Sequence, residues 1–122
     1  MPNINAALGC AQLENLDRYV ADKRETAARY VEFFKGKEDI TFFTEPADCK
    51  SNYWLNAVVL KDKAAQLDFL EYTNDHGVMT RPVWELMNRL PMFEHCETDG
   101  LENTEWLADR VVNIPSSVRL DK

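Results

Sequence analysis

Residues 3–34 read NINAALGCAQLENLDRYVADKRETAARYVEFF, and the rest of the chain has to be fitted around them. Leu13, Leu16, Val20, Ala27, Val31 and Phe34 recur at spacings of three, four or seven, which places them on one face of a helix. Glu14 with Arg18 and Glu25 with Arg29 are i, i+4 pairs in the favourable orientation. Asn3 or Asn5 can cap the start, and Gly36 can supply the left-handed residue after the end. The spacing therefore predicts a helix from residue 4 to about 35, roughly 45 Å long at 1.5 Å per residue. Gly9 and Asn15 lower helix propensity and mark where it can break.

Working outward, ITFFT (40–44) reads as a short strand ended by Glu45-Pro46. NYWLNAVVL (52–60) is the strongest strand signal, rich in aromatic and β-branched residues. Asp62 is placed to cap a second helix whose apolar positions are Ala64, Leu67, Leu70 and Phe69. His76 and Gly77 close it, His76 near the negative end of the helix dipole and Gly77 at the left-handed position. Residues 78–83 read as a third strand, which Pro82 puts at a sheet edge. Asn103 is the expected cap of a last helix through Glu105, Trp106, Leu107 and Arg110. VVNIPSS (111–117) then returns as an extended piece ending at Pro115. This order predicts an α+β fold, a small and mainly antiparallel sheet with helices packed on it. Ile4, Ala7, Leu8 and Ala11 lie beyond the reach of so small a sheet and are expected to be covered by something else.

The chain has 122 residues, 45% hydrophobic and 29% charged, enough for one domain with a real core. A net charge of −7 argues against a nucleic-acid or anionic-membrane binder, which needs a basic face. No apolar run approaches the ~20 residues of a membrane span, and the first residues do not read as a signal peptide. Cys10, Cys49 and Cys96 are widely spaced and lack a C-x-x-C, so reduced thiols in the cytoplasm are expected and no metal site.

Most polar residues have a structural explanation. His95-Cys96 lacks a third, orienting group for a nucleophile pair, and Ser116-Ser117 lacks a G-x-S-x-G setting. Four isolated glycines cannot form a phosphate loop. Two clusters remain, Asn52, Tyr53 and Trp54 before the central strand, and Arg81, Pro82 and Trp84 within GVMTRPVWELMNRLPMF (77–93). Strand ends are common ligand positions, and arginine grips phosphate or carboxylate bidentately. Equally, both tryptophans could be core and Arg81 a surface ion-pair partner. Pattern alone leaves the two readings level.

The N-terminal run resembles the DegT/DnrJ/StrS family of sugar aminotransferases. Asn3, Ile4, Ala6, Ala7, Gly9, Gln12 and Leu13 stand in that family's N-[IQ]-x-A-A-x-G-x-x-Q-L pattern, and KRETAARY (23–30) matches the helix that follows. The resemblance covers nearly the whole chain. It implies the small C-terminal domain of the aspartate-aminotransferase-like fold, with residues 1–35 as a long helix linking to a large domain and 36–122 as the small domain. It implies a pyridoxal-phosphate enzyme, expected to act as a homodimer, that moves an amino group from glutamate to a nucleotide-linked keto-sugar. The Schiff-base lysine and the phosphate cup would belong to the large domain, so no residue here is expected to be catalytic or to bind cofactor, and the chain alone is expected to be inactive. Family members often carry a His- or Tyr-containing segment with a proline after the third strand, near the mouth of the active site. Here Arg81-Pro82-Val83-Trp84 stands there without the histidine. The run through LPMF and NIPSSVR resembles most the subgroup that aminates UDP- or GDP-linked 4-keto-hexoses for legionaminic-type sugars. Arg81 would then suit a diphosphate or donor carboxylate and Trp84 a sugar or base face, with Asn52, Tyr53 and Trp54 lining the same site. The competing reading is a non-catalytic interaction or regulatory module.

Overall fold

The computed structural model describes residues 2–119. The long helix is two helices, α1 (Asn3–Glu14) and α2 (Leu16–Phe34). The break falls at Asn15, whose side-chain amide donates to the Ala11 carbonyl at 2.9 Å and competes with the backbone for it. Arg18 turns to the Asn15 amide oxygen at 3.4 Å. Neither Asn3 nor Asn5 caps α1; Pro2 precedes it without a side-chain cap, its fixed φ of −60° suiting a helix start.

Four antiparallel strands follow in the order β1-β2-β4-β3. They are β1 (Ile40–Phe42), β2 (Asn56–Leu60), β3 (Arg81–Pro82) and β4 (Val111–Ile114). Each of the first three is shorter than its sequence run. Residues 52–55 leave the expected strand because side chains take backbone donors there: Ser51 Oγ accepts from Tyr53 N and Asn52 Oδ1 from Trp54 N. Tyr53 then adopts a left-handed φ of 47°. β3 keeps two residues at the edge, as Pro82 requires. The VVNI segment, by contrast, becomes the interior strand β4, pairing Val58 with Val112 and Pro82 with Val112.

α3 (Lys63–Asp75) starts at Asp62, whose Oδ1 accepts from Ala65 N at 2.8 Å. Gly77 follows it at φ 76°, and His76 stacks on Tyr72. Its buried face is rotated from the expected one. Ala65, Phe69 and Leu70 pack on the core, whereas Leu67 and Ala64 are exposed. The fully buried residue is Gln66, whose amide donates to the Ala108 and Val111 carbonyls and accepts from Lys63. All its polar capacity at that face is used, so it can sit where an apolar side chain was expected. α4 (Glu102–Ala108) is entered through Leu101 at φ 57°, not capped by Asn103, and Arg110 lies beyond it, donating back to the Trp106 carbonyl.

The core is Ala27, Phe42, Val58, Leu60, Val112 and Ile114, with Tyr30, Val31 and Phe34 of α2 packed on it. α2 therefore belongs to the sheet layer, while α1 has no buried residue. No helix among the described residues is long and apolar enough to cross a membrane.

The loop between β1 and β2 is fastened to α2 by Arg24. Its guanidinium forks onto Glu45, with Nη1 to Oε2 at 3.0 Å and Nη2 to Oε1 at 2.7 Å, reaches the Ser51 carbonyl, and lies over the Tyr53 ring. The Arg24 hydrogen bonds first, and that from Ser51 N next, hold the Glu45 carboxyl at about 2 instead of 4.5. Because the folded value is the lower one, the contribution to stability is present above about 4.5 and is lost as pH falls toward about 2. Glu45→Gln should thus lower the urea midpoint at pH 7, and the gap to the unsubstituted protein should close between these two values. A gap that persisted at pH 2 would mean the charge is not what Arg24 holds.

Candidate functional site

A cleft of about 820 Å³ opens where the ends of β3 and β4 meet the loop before β2. Trp54 and Leu55 supply one wall, Pro115, Ser116 and Ser117 another, and Arg81, Pro82 and Trp84 a third. The two sequence clusters, 27 or more residues apart in the chain, thus meet through Trp54, Arg81 and Trp84. Neither tryptophan is core. Trp54 is 68% exposed and Trp84 74%, so each indole presents a free face.

Arg81 is positioned from behind. It pairs across the sheet with Asn113, and the preceding Thr80 is buried. Thr80 is held by the Thr73 hydroxyl at 2.6 Å and by the Asn74 amide, both at the end of α3. The guanidinium itself touches only the Met79 sulfur, at 3.6 Å, and forms no ion pair among the described residues. Among the described residues no carboxylate lines the cleft, while Lys23 and Arg81 both do. In a chain of net charge −7 this is a local positive spot with two aromatic faces beside it.

Asn52 and Tyr53 do not line the cleft. Asn52 closes the turn that presents Trp54, and Tyr53 stacks on Phe42 with its hydroxyl accepting from Glu45 N. Lys23 and Asn113, which no sequence motif singles out, do line it, as do Ser116 and Ser117, which the sequence sets aside only as nucleophiles. The signal for Lys23 was available only as one more charge on a long helix. His95 and Cys96 lie in an exposed turn, and no cluster of potential metal ligands occurs among the described residues.

Pyridoxal phosphate would need a free lysine amine, a carboxylate for its ring nitrogen and a cup of backbone donors for its phosphate. The one lysine of the cleft has its ammonium on two carbonyls, those of Ser116 and Trp54. With no carboxylate among the described lining residues either, the cleft by itself does not fit that cofactor.

Comparison with known proteins places this geometry. The DegT/DnrJ/EryC1/StrS aminotransferase family model matches residues 1–122. EpsN of Bacillus subtilis, which bears the name of a pyridoxal phosphate-dependent aminotransferase, is 30% identical over 120 residues, 95% of this chain and 31% of that protein. The GDP-perosamine synthase of Escherichia coli O157:H7 is 28% identical over 118 residues, 95% of this chain and 31% of that one. The chain thus spans about a third of the length of the curated relatives it matches. Among solved structures, the aminotransferase TlmJ from Streptoalloteichus hindustanus superposes with a TM-score of 0.85 at 23% identity, over 96% of this chain and 31% of that one. The α+β layers described above are therefore the small domain of the aspartate-aminotransferase-like fold. A match over every residue, on a fold shared with solved aminotransferases, leaves one assignment: the chain belongs to the DegT/DnrJ/EryC1/StrS aminotransferase family.

Proposed function

We propose that this chain is the small C-terminal domain of a pyridoxal-phosphate aminotransferase that transfers an amino group from glutamate to a nucleotide-linked 4-keto-sugar, for surface-glycan synthesis in the cytoplasm. The observation that carries the reading is the meeting of Arg81, Trp54 and Trp84 in one cleft with no carboxylate among its described lining residues. A nucleotide-sugar is a diphosphate flanked by flat or apolar faces. Arginine recognises the first and indoles the second. Asn52 and Tyr53 serve the site by shaping the turn that carries Trp54. The relatives named GDP-perosamine synthase support a nucleotide-linked sugar. UDP- or GDP-linked hexoses of the legionaminic type are our choice within that class. The cofactor supplies the electron sink for amino transfer, and the residues that hold it lie outside this cleft. The test is amination by the longer enzyme carrying this segment. Glutamate with UDP- or GDP-linked 4-keto-hexose should release 2-oxoglutarate, and release with neither sugar would sink the proposal.

One observation favours a second reading, a module that docks on another protein. Ile4 and Leu8 of α1 are 82% and 61% exposed, a short stripe of large apolar side chains one turn apart in water. Covering a leucine or isoleucine is worth roughly 1.5–3 kcal/mol, and a second copy can cover it two-fold symmetrically. We expect the 122-residue chain to self-associate through residues 1–16 and Leu8→Glu to release monomers in light scattering. A clean monomer at high concentration would remove this stripe from any account of a homodimer.

A further inference from the structure

Residues 115–119 belong to no helix or strand, so their backbone groups need partners from elsewhere. Those partners come from α2. Tyr30 Oη donates to the Pro115 carbonyl at 3.1 Å, and Lys23 Nζ to the Ser116 carbonyl at 2.6 Å. Arg119 N donates to Asp22 Oδ2 at 3.0 Å. Residues 23 and 30 are two helical turns apart on one side of α2, and Asp22 precedes Lys23 on the adjoining side. Asp22 is only 4% exposed, and its other oxygen accepts from Arg119 Nε at 3.1 Å and Nη2 at 2.8 Å. A carboxylate so buried is tolerable only with such partners. Lys23 does more than tie the segment down. The same ammonium donates to the Trp54 carbonyl at 3.4 Å, so it joins two segments that both line the cleft, as does Ser116 Oγ, which accepts from Asn56 N at 2.7 Å.

We infer that α2 holds residues 115–119 as a strap and thereby sets the width of the cleft, with Asp22 and Lys23 as positioning residues. Asp22 does not line the cleft and acts only through the strap. Lys23 fixes the distance from the strap to Trp54. Where ligand binding is concerned the inference rests on the proposed nucleotide-sugar reading, but the strap itself can be read without a ligand.

The experiment uses the 122-residue chain. Asp22→Asn should speed hydrogen exchange at the Arg119 amide on the order of tenfold, the effect of losing a hydrogen bond to a charged group, while β2 and β4 keep their protection. In a Trp84→Phe, Trp106→Phe background, acrylamide quenching of Trp54 should rise in Asp22→Asn and in Lys23→Met, and Lys23→Arg should restore it. Arg119→Gln removes the guanidinium bonds to Asp22 from the strap's side and replaces Asp22→Asn in the quenching test if that variant does not fold. Calorimetric titration with UDP and GDP is the second arm, with roughly tenfold weaker binding expected in Asp22→Asn. Absence of binding by the unsubstituted chain would count against the nucleotide reading, and the exchange and quenching would still decide the strap. Unchanged exchange in Asp22→Asn would overturn it. Faster exchange with unchanged Trp54 quenching would overturn it too, leaving a tether with no hold on the cleft.

Discussion

Phe42→Ala should destabilise the protein by about 3–5 kcal/mol, the range for emptying a buried aromatic site. Phe42 is 5% exposed and sits where α2 meets the sheet. Its ring stacks parallel to Phe34 at 6.5 Å between centroids, lies 5.7 Å from Tyr30 and 6.4 Å from Tyr53. One side chain thus joins the helix layer, the edge strand and the loop that presents Trp54. The buried apolar core holds only six residues, so little else can collapse into the space. Against a total stability of about 5–15 kcal/mol, such a loss is a large fraction. Urea unfolding followed by far-ultraviolet circular dichroism measures it directly. The control is the next residue. Phe43 is 58% exposed on the other face, and Phe43→Ala should stay within about 0.5 kcal/mol. A Phe42→Ala loss below about 1 kcal/mol would mean that β1 is not part of the core.

That pair of phenylalanines shows what sequence could and could not deliver. ITFF identifies a strand, and the period of two says that Phe42 and Phe43 face opposite ways. It does not say which is inside. Ile40, Phe42, Val58 and Val112 share the buried side only because β1, β2 and β4 pair in this register. α2 was legible in its second half, since Ala27, Val31 and Phe34 do face the sheet, but not in its first, where Leu16 is exposed and Asp22 is buried. α3 was legible as a helix with its Asp62 cap, but not in its rotation. Its buried side is set by Gln66, a polar residue satisfied by two carbonyls from residues 42 and 45 positions away. No local pattern encodes such partners. The shortening of β2 has the same origin in reverse, for Ser51 and Asn52 satisfy the nearby backbone locally and remove it from the ladder.

The cleft was legible in kind and incomplete in membership. Trp54, Arg81 and Trp84 drew notice because large aromatics and an arginine beside a proline are unusual at strand ends. Lys23 and Asn113 drew none, and Ser116 only as a nucleophile without its setting. Each is an ordinary residue for its element, and it becomes part of the cleft only through the fold. β4 is the clearest instance. VVNIPSS reads as a short extended tail, yet it is the interior strand that brings Asn113 beside Arg81 and carries the strap onward to Arg119.

In the longer aminotransferase that carries this segment, Arg81→Ala should raise KM for the nucleotide-sugar or for glutamate. The loss in kcat/KM should correspond to about 1.5–3 kcal/mol, the worth of a hydrogen bond to a charged group, or roughly ten- to over a hundredfold. The structure gives the reason to expect so much from an exposed side chain. Arg81 has no acidic partner among the described residues, and its backbone is fixed by the cross-strand pair with Asn113 and by the buried Thr80. Its charge stands in the same cleft lining as the two indoles. The substitution should leave stability nearly unchanged, because nothing but the Met79 sulfur loses a contact. Arg81→Lys should recover little, since an ammonium cannot offer the planar fork that grips a diphosphate or carboxylate with two parallel bonds. The split between the two substrates carries the assignment. A KM raised for the nucleotide-sugar alone places Arg81 on the diphosphate, and one raised for glutamate alone places it on the donor's carboxylate. Wild-type kinetics with both would leave Arg81 without a role in the reaction.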